Sequence, residues 1–554
     1  MRTFYGAEKK ECAFWLSPAN PVSIDQEDIS ENTDGSSLNL PSGPGAHAHH
    51  IYNRINISSS MHRTPVTTFR DGWFAMKTYD YIIIGTGSGL ALADAILQEK
   101  DRVKIAVIDK DTPGGICLTR ACIPSKILLY PAELVRLFER SSEFGIHVEK
   151  MALDFPRIMQ RMRDLIGEDI SGIRESLESS ESIDYYKYPA EFSGPYTIKV
   201  GTETITAKTI FLCTGSKPSI PPIKGLDQLP YQTTDTLLAL DSCPKRLAIV
   251  GGGYIAAEYG HFFSAMGSAV TIIGRNPQFI PEEEPEISAL AMEMLGDHIT
   301  ILTNHEVREA GTGEAGTVFL NAVDRTSGKS VRIESDMILI ATGRSSNSDI
   351  LHPERSGVKV DRHGWIIVDE HLQTTQPGIW AFGDANGRYL FKNVANYEAS
   401  VVYRNALHGE GEKVDYTGVP HAVFTSPEIA SAGLSEKEAI ARYGRDNILV
   451  GVARYLDTAK GLAIGAKREF AKIIVERSSR SIIGAHIIGP EASILIQELV
   501  YFISNSSHTV DEVSSLFHIH PALSEVIQDA CQNLMSADQY HHVMKENFGL
   551  LVPE

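Results

Sequence analysis

The chain has 554 residues and a formal net charge of −19, so its surface offers no electrostatic pull toward nucleic acid or an anionic membrane. Apolar residues make up 43% and charged residues 22%, enough for several packed cores and, by length, for about three or four domains. No apolar run approaches the roughly 18 residues of a membrane helix, and six cysteines are too few for a secreted disulfide framework; the expectation is a soluble, cytoplasmic protein.

Residues 1–76 contain "DGSSLNLPSGPGAHAHH" and "NISSSMHRTP" without sustained periodicity, which predicts a disordered extension. His47, His49 and His50 read as a solvated tail rather than a metal site. Glu8, Glu11, Asp25 and Glu27 argue against a transit peptide. Met61 and Met76 both stand as alternative starts, Met76 directly before the first folded pattern.

That pattern is "YDYIIIGTGSGLALADAIL": an apolar run from Tyr81 to Ile84, a turn carrying Gly85 and Gly87, then a helical pattern. Strand, tight turn and helix make a cradle in which glycines let the backbone approach a pyrophosphate and the helix N-terminus supplies free N–H groups. The next apolar run ends in Asp109, 24 residues after Gly85, close to the spacing of about 20 at which a carboxylate meets an adenosine ribose. Leu90 replaces the third glycine of the fingerprint, and Gly89 reads as an extra.

"GGICLTRACIPSK" follows. Cys117 and Cys122 are five residues apart, which on an ideal helix separates their Cα atoms by roughly 8 to 9 Å. A disulfide needs about 4.4 to 6.8 Å, so the helix must be irregular there. Pro124 removes the N–H that would reach back to Arg120, and a helix start lowers a thiol's pKa. The alternatives to a redox pair are a structural disulfide, uncommon inside cells, and a zinc site, for which no further ligands at matching spacing are evident. Cys12, Cys213, Cys243 and Cys531 stand alone and read as small apolar side chains.

"RLAIVGGGYIAAEYG" repeats the cradle with Gly251, Gly253 and Ala256. Its next strand ends in Gly274-Arg275, where no carboxylate awaits a ribose and a guanidinium suits a 2′-phosphate; the alternative is a solvated charge. Strands ending in Thr214-Gly215, with Lys217 two residues on, in Thr342-Gly343, with Arg344 next, and in Gly383-Asp384 complete the set. Near the end, "HIHPALSE" places Glu525 five residues after His520, with Pro521 able to open a helix and the carboxylate able to hold the imidazole.

Five of these motifs, the first cradle, "CLTRACIPSK", the second cradle "GGGYIAAE", "IWAFGDA" and "HIHPALSE", in that order from about Lys77 onward, resemble the FAD-containing pyridine nucleotide–disulfide oxidoreductases. "YLFKNVANYEA" and "IHPALSEV" resemble the mycothione reductases, and "HIHPALSE", with His518 two positions before His520, the dihydrolipoyl dehydrogenases. The resemblance implies an α/β chain with two Rossmann-like dinucleotide-binding domains and a C-terminal α+β dimerisation domain: FAD-binding parts at 77–225 and 345–415, an NAD(P)-binding domain at 226–344, and a dimerisation domain at 416–554.

It implies FAD on Gly85, Gly87, Asp109 and Asp384, and NADPH (or NADH) on Gly251, Gly253, Arg275 and Gly343, with Tyr254 covering the nicotinamide pocket. The resemblance further implies that Lys126 and Glu258 pair beside the flavin, that Cys122 holds a thiolate against the ring while Cys117 attacks a small disulfide, and that His520, oriented by Glu525, serves the site of the partner in a homodimer. A mercuric-ion or quinone reductase on the same core, or an idle nucleotide-binding flavoprotein, are the alternatives. The family commonly has other residues at Ile116, Thr119, Arg120 and Ala121; Arg120 and Ala121 are expected to reshape the face that meets the disulfide.

Overall fold

Ile82 and Ile83 are fully buried, because the strand Tyr81–Ile84 lies in the middle of a parallel sheet covered on both faces. The computed structural model describes residues 76–550; the expectations for the segment before Met76 lie outside the described residues. The sheet runs in the order Ile379–Ala381, Thr209–Leu212, Tyr81–Ile84, Ile105–Ile108, Ile183–Tyr186. Helix α1 (Gly89–Glu99) leaves the central strand, and two further helices, α2 (Gly115–Thr119) and α3 (Cys122–Arg140), follow the next one. The sheet's edge strand Ile379–Ala381 comes from far along the chain, after a second sheet has been completed.

That second sheet has the order Ile299–Leu302, Ala269–Ile273, Arg246–Val250, Met337–Ile340, again all parallel. Helix α4 (Tyr254–Ala265) leaves its Arg246–Val250 strand, and a three-stranded antiparallel sheet, His305–Thr312 to Ser330–Ser335, sits alongside. Both parallel sheets use one device at the strand end. Gly85 (φ +114°) and Gly251 (φ +129°) adopt backbone open to glycine, and a Cβ on either would lie 2.1 Å from a carbonyl oxygen, that of Cys213 or Ala341. Gly89 corrects the sequence reading. It is no extra glycine: a Cβ there would fall 2.5 Å from Cys213 Sγ and 2.9 Å from Ile83 Cγ2, so it provides the close helix–strand packing that the third glycine supplies in the fingerprint.

Helix α5 (Lys392–Tyr403) then returns to the first sheet. The C-terminal part is a six-stranded antiparallel sheet, Pro420–Val423, Ile429–Gly433, Ile482–Ile488, Phe470–Glu476, Ile448–Arg454, Leu534–Met535. The helix Ala492–Ser504 and α6 (Glu525–Gln532) cover one face through Ile496, Leu499, Val526 and Ile527. The other face shares a core with α3 and α4, where Ile474 and Ile488 join Leu128 and Phe262. The fold is therefore two Rossmann-like units and a C-terminal α+β unit, and the packing against α3 and α4 fixes the thiol pair relative to both glycine cradles.

Candidate active site

Cys117 lies inside α2 and Cys122 is the first residue of α3. Between them Ala121, at φ −132° and ψ −100°, takes the chain out of helix, so the two thiols meet, Cys117 hydrogen-bonding Cys122. The irregularity falls at Arg120–Ala121, just ahead of Pro124, which occupies the first turn of α3, where a missing N–H leaves nothing unpaired. Both cysteines are free thiols.

Their proton affinities are pushed apart. The hydrogen bond from Cys117, aided by the Lys126 cation, overcomes burial and brings Cys122 down to about 7. The same hydrogen bond, together with burial, raises Cys117. The start of α3 adds a favourable dipole for the Cys122 thiolate. One sulfur is thus a proton-bearing donor and the other a stabilised thiolate.

Lys126 stands one turn after Cys122, and its Nζ lies 2.8 Å and 2.9 Å from the two carboxylate oxygens of Glu258. Glu258 is buried in α4 and also accepts the Phe424 N–H at 3.1 Å, while Lys126 Nζ sits 4.4 Å from the centre of the Phe424 ring. The pair joins the thiol-bearing helix to the helix of the second cradle. Tyr254, first residue of α4, is largely buried and its phenol is pushed up to about 12 by that burial.

These groups line one pocket of about 580 Å³ that also takes in Gly85, Gly87 and Asp109 at one end and Asp384. Asp109 accepts hydrogen bonds from the Thr86 N–H (2.9 Å), the Thr86 hydroxyl (2.5 Å) and the Asp111 N–H (2.9 Å). It holds the glycine turn in shape, and a carboxylate's remaining lone pairs stay available to a ligand hydroxyl. Asp384 accepts from the Ser216 hydroxyl, with Arg344 donating to the same hydroxyl at 2.6 Å, and burial raises its carboxyl above the usual range. Gly251, Gly253, Gly343 and Arg275 do not line this pocket. Arg275 is exposed, and its side chain makes no ion pair among the described residues; its carbonyl accepts from Arg325 at 3.0 Å.

Arg120 departs from expectation. It does not add free charge to a disulfide-binding face: its guanidinium binds Asp111 at 2.9 Å and Asp235 at 3.4 Å, in the run leading into the second sheet. A residue between the two cysteines therefore clamps the thiol loop to the connection between the two nucleotide folds.

His520 Nδ1 lies 2.7 Å from Glu525 Oε1, and the Ala522 N–H donates to Oε2 at 3.0 Å; the imidazole holds Glu525 below the usual carboxylate range. The geometry differs from the sequence reading in one respect. Helix α6 begins at Glu525 itself, not at Pro521. His518 is engaged elsewhere, with Glu498 at 3.0 Å. The His520 side chain is 74% exposed and does not line the pocket that holds the thiols. Phe517 and Ile519 beside it are strongly exposed apolar residues, as expected of a surface that another chain covers.

Sequence reasoning assigned no role to Lys392 beyond quoting the stretch that contains it. It is a largely buried cation in the pocket wall, at the first position of α5, and a basic residue opening the helix after a Gly-Asp strand end was the available signal.

Comparison with known proteins agrees with this arrangement. A family model for pyridine nucleotide-disulphide oxidoreductases matches residues 79–402, and one for the dimerisation domain of the same family matches residues 419–531. The chain is 35% identical to mycothione reductase of Mycobacterium tuberculosis over 476 residues, 83% of this chain and 100% of the relative. It is 32% identical to dihydrolipoyl dehydrogenase of Chlamydia muridarum, covering 84% and 98%, and 34% identical to mercuric reductase of Streptomyces lividans, covering 83% and 96%. Among solved structures, the HOCl-induced flavoprotein disulfide reductase RclA from Escherichia coli superposes with a TM-score of 0.72 at 27% identity, covering 82% of this chain and 99% of that one. The chain belongs to the pyridine nucleotide-disulphide oxidoreductase family, flavoprotein oxidoreductases whose members pair FAD with NAD(P)H.

Proposed function

We propose that this protein is an FAD-dependent NAD(P)H:disulfide oxidoreductase acting on a small disulfide or dithiol through Cys117 and Cys122, in the manner of a mycothione reductase or dihydrolipoyl dehydrogenase. The observation that carries the reading is convergence: the first glycine turn, the thiol pair, the Lys126–Glu258 bridge and Tyr254 of the second cradle all face one pocket.

The residues present fit FAD. Gly87 and Gly115 approach so closely that a Cβ on Gly115 would lie 2.5 Å from Gly87 Cα. Ser88, the N-cap of α1, makes no side-chain cap bond; the Leu90 N–H reaches the Gly87 carbonyl at 3.4 Å, while the Gly89 and Ala91 N–H groups have no partner among the described residues and stand ready for phosphate. Asp109 and Asp384 offer carboxylate oxygens toward hydroxyl groups. Bound FAD supplies two-electron exchange between a nicotinamide and the Cys117–Cys122 couple.

The chain's own residues do the rest. With both thiols reduced, Cys117 gives its proton to Nε2 of a histidine base and attacks one sulfur of the substrate disulfide; a mixed disulfide forms and one thiolate leaves. The histidine returns the proton to that leaving thiolate. Cys122, already favoured as thiolate by Cys117 and Lys126, attacks the Cys117 sulfur. The Cys117–Cys122 disulfide forms and the second half of the substrate departs as a thiolate, which takes its proton from solvent. We assign the base to His520, whose Nδ1 is held by Glu525, leaving Nε2 for the exchange; the exposed setting of His520 supports its delivery to a partner subunit in a homodimer. Arg275, exposed and without an ion-pair partner among the described residues, supports NADPH as the nicotinamide nucleotide.

A mercuric-ion or quinone reductase is the alternative. The test is twofold. Purified protein titrated with NADPH takes up a pair of reducing equivalents beyond those of its flavin. A panel of lipoamide, glutathione disulfide, mycothione and bis-γ-glutamylcystine then identifies the substrate. Uptake limited to the flavin would overturn the reading.

A further inference from the structure

The cations in the pocket wall are all but one neutralised. Lys110 pairs with Asp111 at 2.7 Å, Arg120 with Asp111 and Asp235, Lys126 with Glu258, and Arg344 faces Asp384 at 3.9 Å. His421, also in the wall, is held by Glu283 at 2.8 Å. Lys392 has no carboxylate at ion-pair distance among the described residues. Its one hydrogen-bond partner is the Ser88 hydroxyl, at 2.9 Å.

That partner fixes where the charge sits. Ser88 is the N-cap of α1, the helix that leaves the first glycine turn. Its hydroxyl donates to Asn396 at 2.9 Å, one turn along α5 from Lys392, so the hydroxyl's lone pairs receive the ammonium. The starts of α1 and α5 are thereby tied at one point, two positive helix ends with an ammonium between them. Burial makes this cation costly, and it depresses the proton affinity of Lys392. The thiol pair and Asp384 favour its charged form, but no carboxylate among the described residues comes within ion-pair distance, and an ammonium so placed calls for an anion. The Gly89 and Ala91 N–H groups of α1, without partners among the described residues, and the bare glycine turn beside them suit phosphate oxygens.

We propose that Lys392 is the counter-cation for the diphosphate of the bound flavin dinucleotide, with Ser88 holding its ammonium at the α1 N-terminus before the cofactor arrives. The assignment rests on the FAD-dependent reading given above. It adds to the glycine turn a charged anchor from the far end of the chain, so that cofactor retention depends on the return of α5 to the first sheet.

The experiment uses the full-length protein stripped of cofactor, titrated by flavin fluorescence with FAD, and competed with ADP, which carries the diphosphate and no isoalloxazine ring. In Lys392→Met, FAD and ADP both bind at least tenfold more weakly, the difference from wild type shrinks with added salt, and Lys392→Arg restores most of the affinity. Ser88→Ala gives a smaller loss of the same kind and serves as a check should Lys392→Met fold poorly. If wild type does not bind FAD, the FAD-dependent reading fails. If wild type binds FAD and the Lys392→Met protein binds FAD and ADP equally well, the Lys392 assignment fails. It fails also if the variant keeps its affinity for ADP and shifts only the midpoint potential of the flavin, since the ammonium would then serve the ring.

Discussion

Lys126 and Glu258, 132 residues apart in the chain, form a two-oxygen ion pair that directly links the thiol-bearing helix to the helix of the second cradle. The two ends are unequal: Glu258 is 7% exposed in its side chain and Lys126 36%. Removing the lysine strands a buried carboxylate with only the Phe424 N–H to satisfy it. Neutralising the glutamate leaves an ammonium that can turn to solvent. Lys126→Met is therefore expected to cost about 2–3 kcal/mol and Glu258→Gln about 1 kcal/mol. Apparent denaturation midpoints of the two variants check the ranking, and an equal or inverted order would contradict the asymmetry.

The same lysine sets the reactivity of the neighbouring sulfur. Cys122 lies near 7, lowered first by the hydrogen bond from Cys117 and then by Lys126. A lowered thiol pKa means the thiolate is present above that value and lost below it, so alkylation of the reduced protein by iodoacetamide should rise through an inflection near pH 7, ahead of the ordinary range of about 8.5. Lys126→Met should move that inflection up by about 1 unit, and Cys117→Ser should move it as well. A profile unaltered in both variants would show that neither neighbour tunes Cys122.

How much of this was legible in the sequence depended on the range of the interaction. Gly85, Gly251 and the thiol spacing were legible because a strand end, a turn and a helix start are written in consecutive residues. Gly89 was misjudged, since its need for a bare Cα comes from Cys213 Sγ, brought in by another strand. The pairing of Arg120 was half out of reach for the same reason: its guanidinium is shared between Asp111 at 2.9 Å, close in the chain, and Asp235 at 3.4 Å, 115 residues away. The start of α6 at Glu525 instead of Pro521 reflects a local contest. The Glu525 carboxylate turns back to take the Ala522 N–H and the His520 imidazole, and the segment between folds around it as a turn. The role of Lys392 needed three elements in place at once.

Coenzyme choice should follow Arg275. The guanidinium is exposed at the end of the Ala269–Ile273 strand with no carboxylate bound to it, and the neighbouring Arg325 reaches its carbonyl. Arg275→Ala should lower kcat/KM for NADPH about tenfold or more while leaving NADH nearly unchanged, a differential of about 1.4 kcal/mol. Wild-type protein that already prefers NADH tenfold would remove the basis for assigning Arg275 to a 2′-phosphate.

The His520–Glu525 pair makes a prediction that depends on where the site is completed. His520→Gln should cut disulfide turnover by about 10²–10⁴-fold, the usual weight of a positioned acid–base group, with reduction of the flavin by NADPH intact; Glu525→Gln should lose less, because the imidazole remains. If His520 acts on the thiols of a partner subunit, Cys117→Ser and His520→Gln proteins, each inactive alone, should complement when their subunits are mixed and allowed to exchange. In the mixed dimer one site joins the two altered residues and is dead, whereas the other joins an intact Cys117 from one chain to an intact His520 from the other. Random exchange makes about half the dimers mixed, with one live site in two, so activity per site should recover to about a quarter of wild type. Sites built within a single chain would give no recovery at any mixing ratio, because every chain then carries one defect.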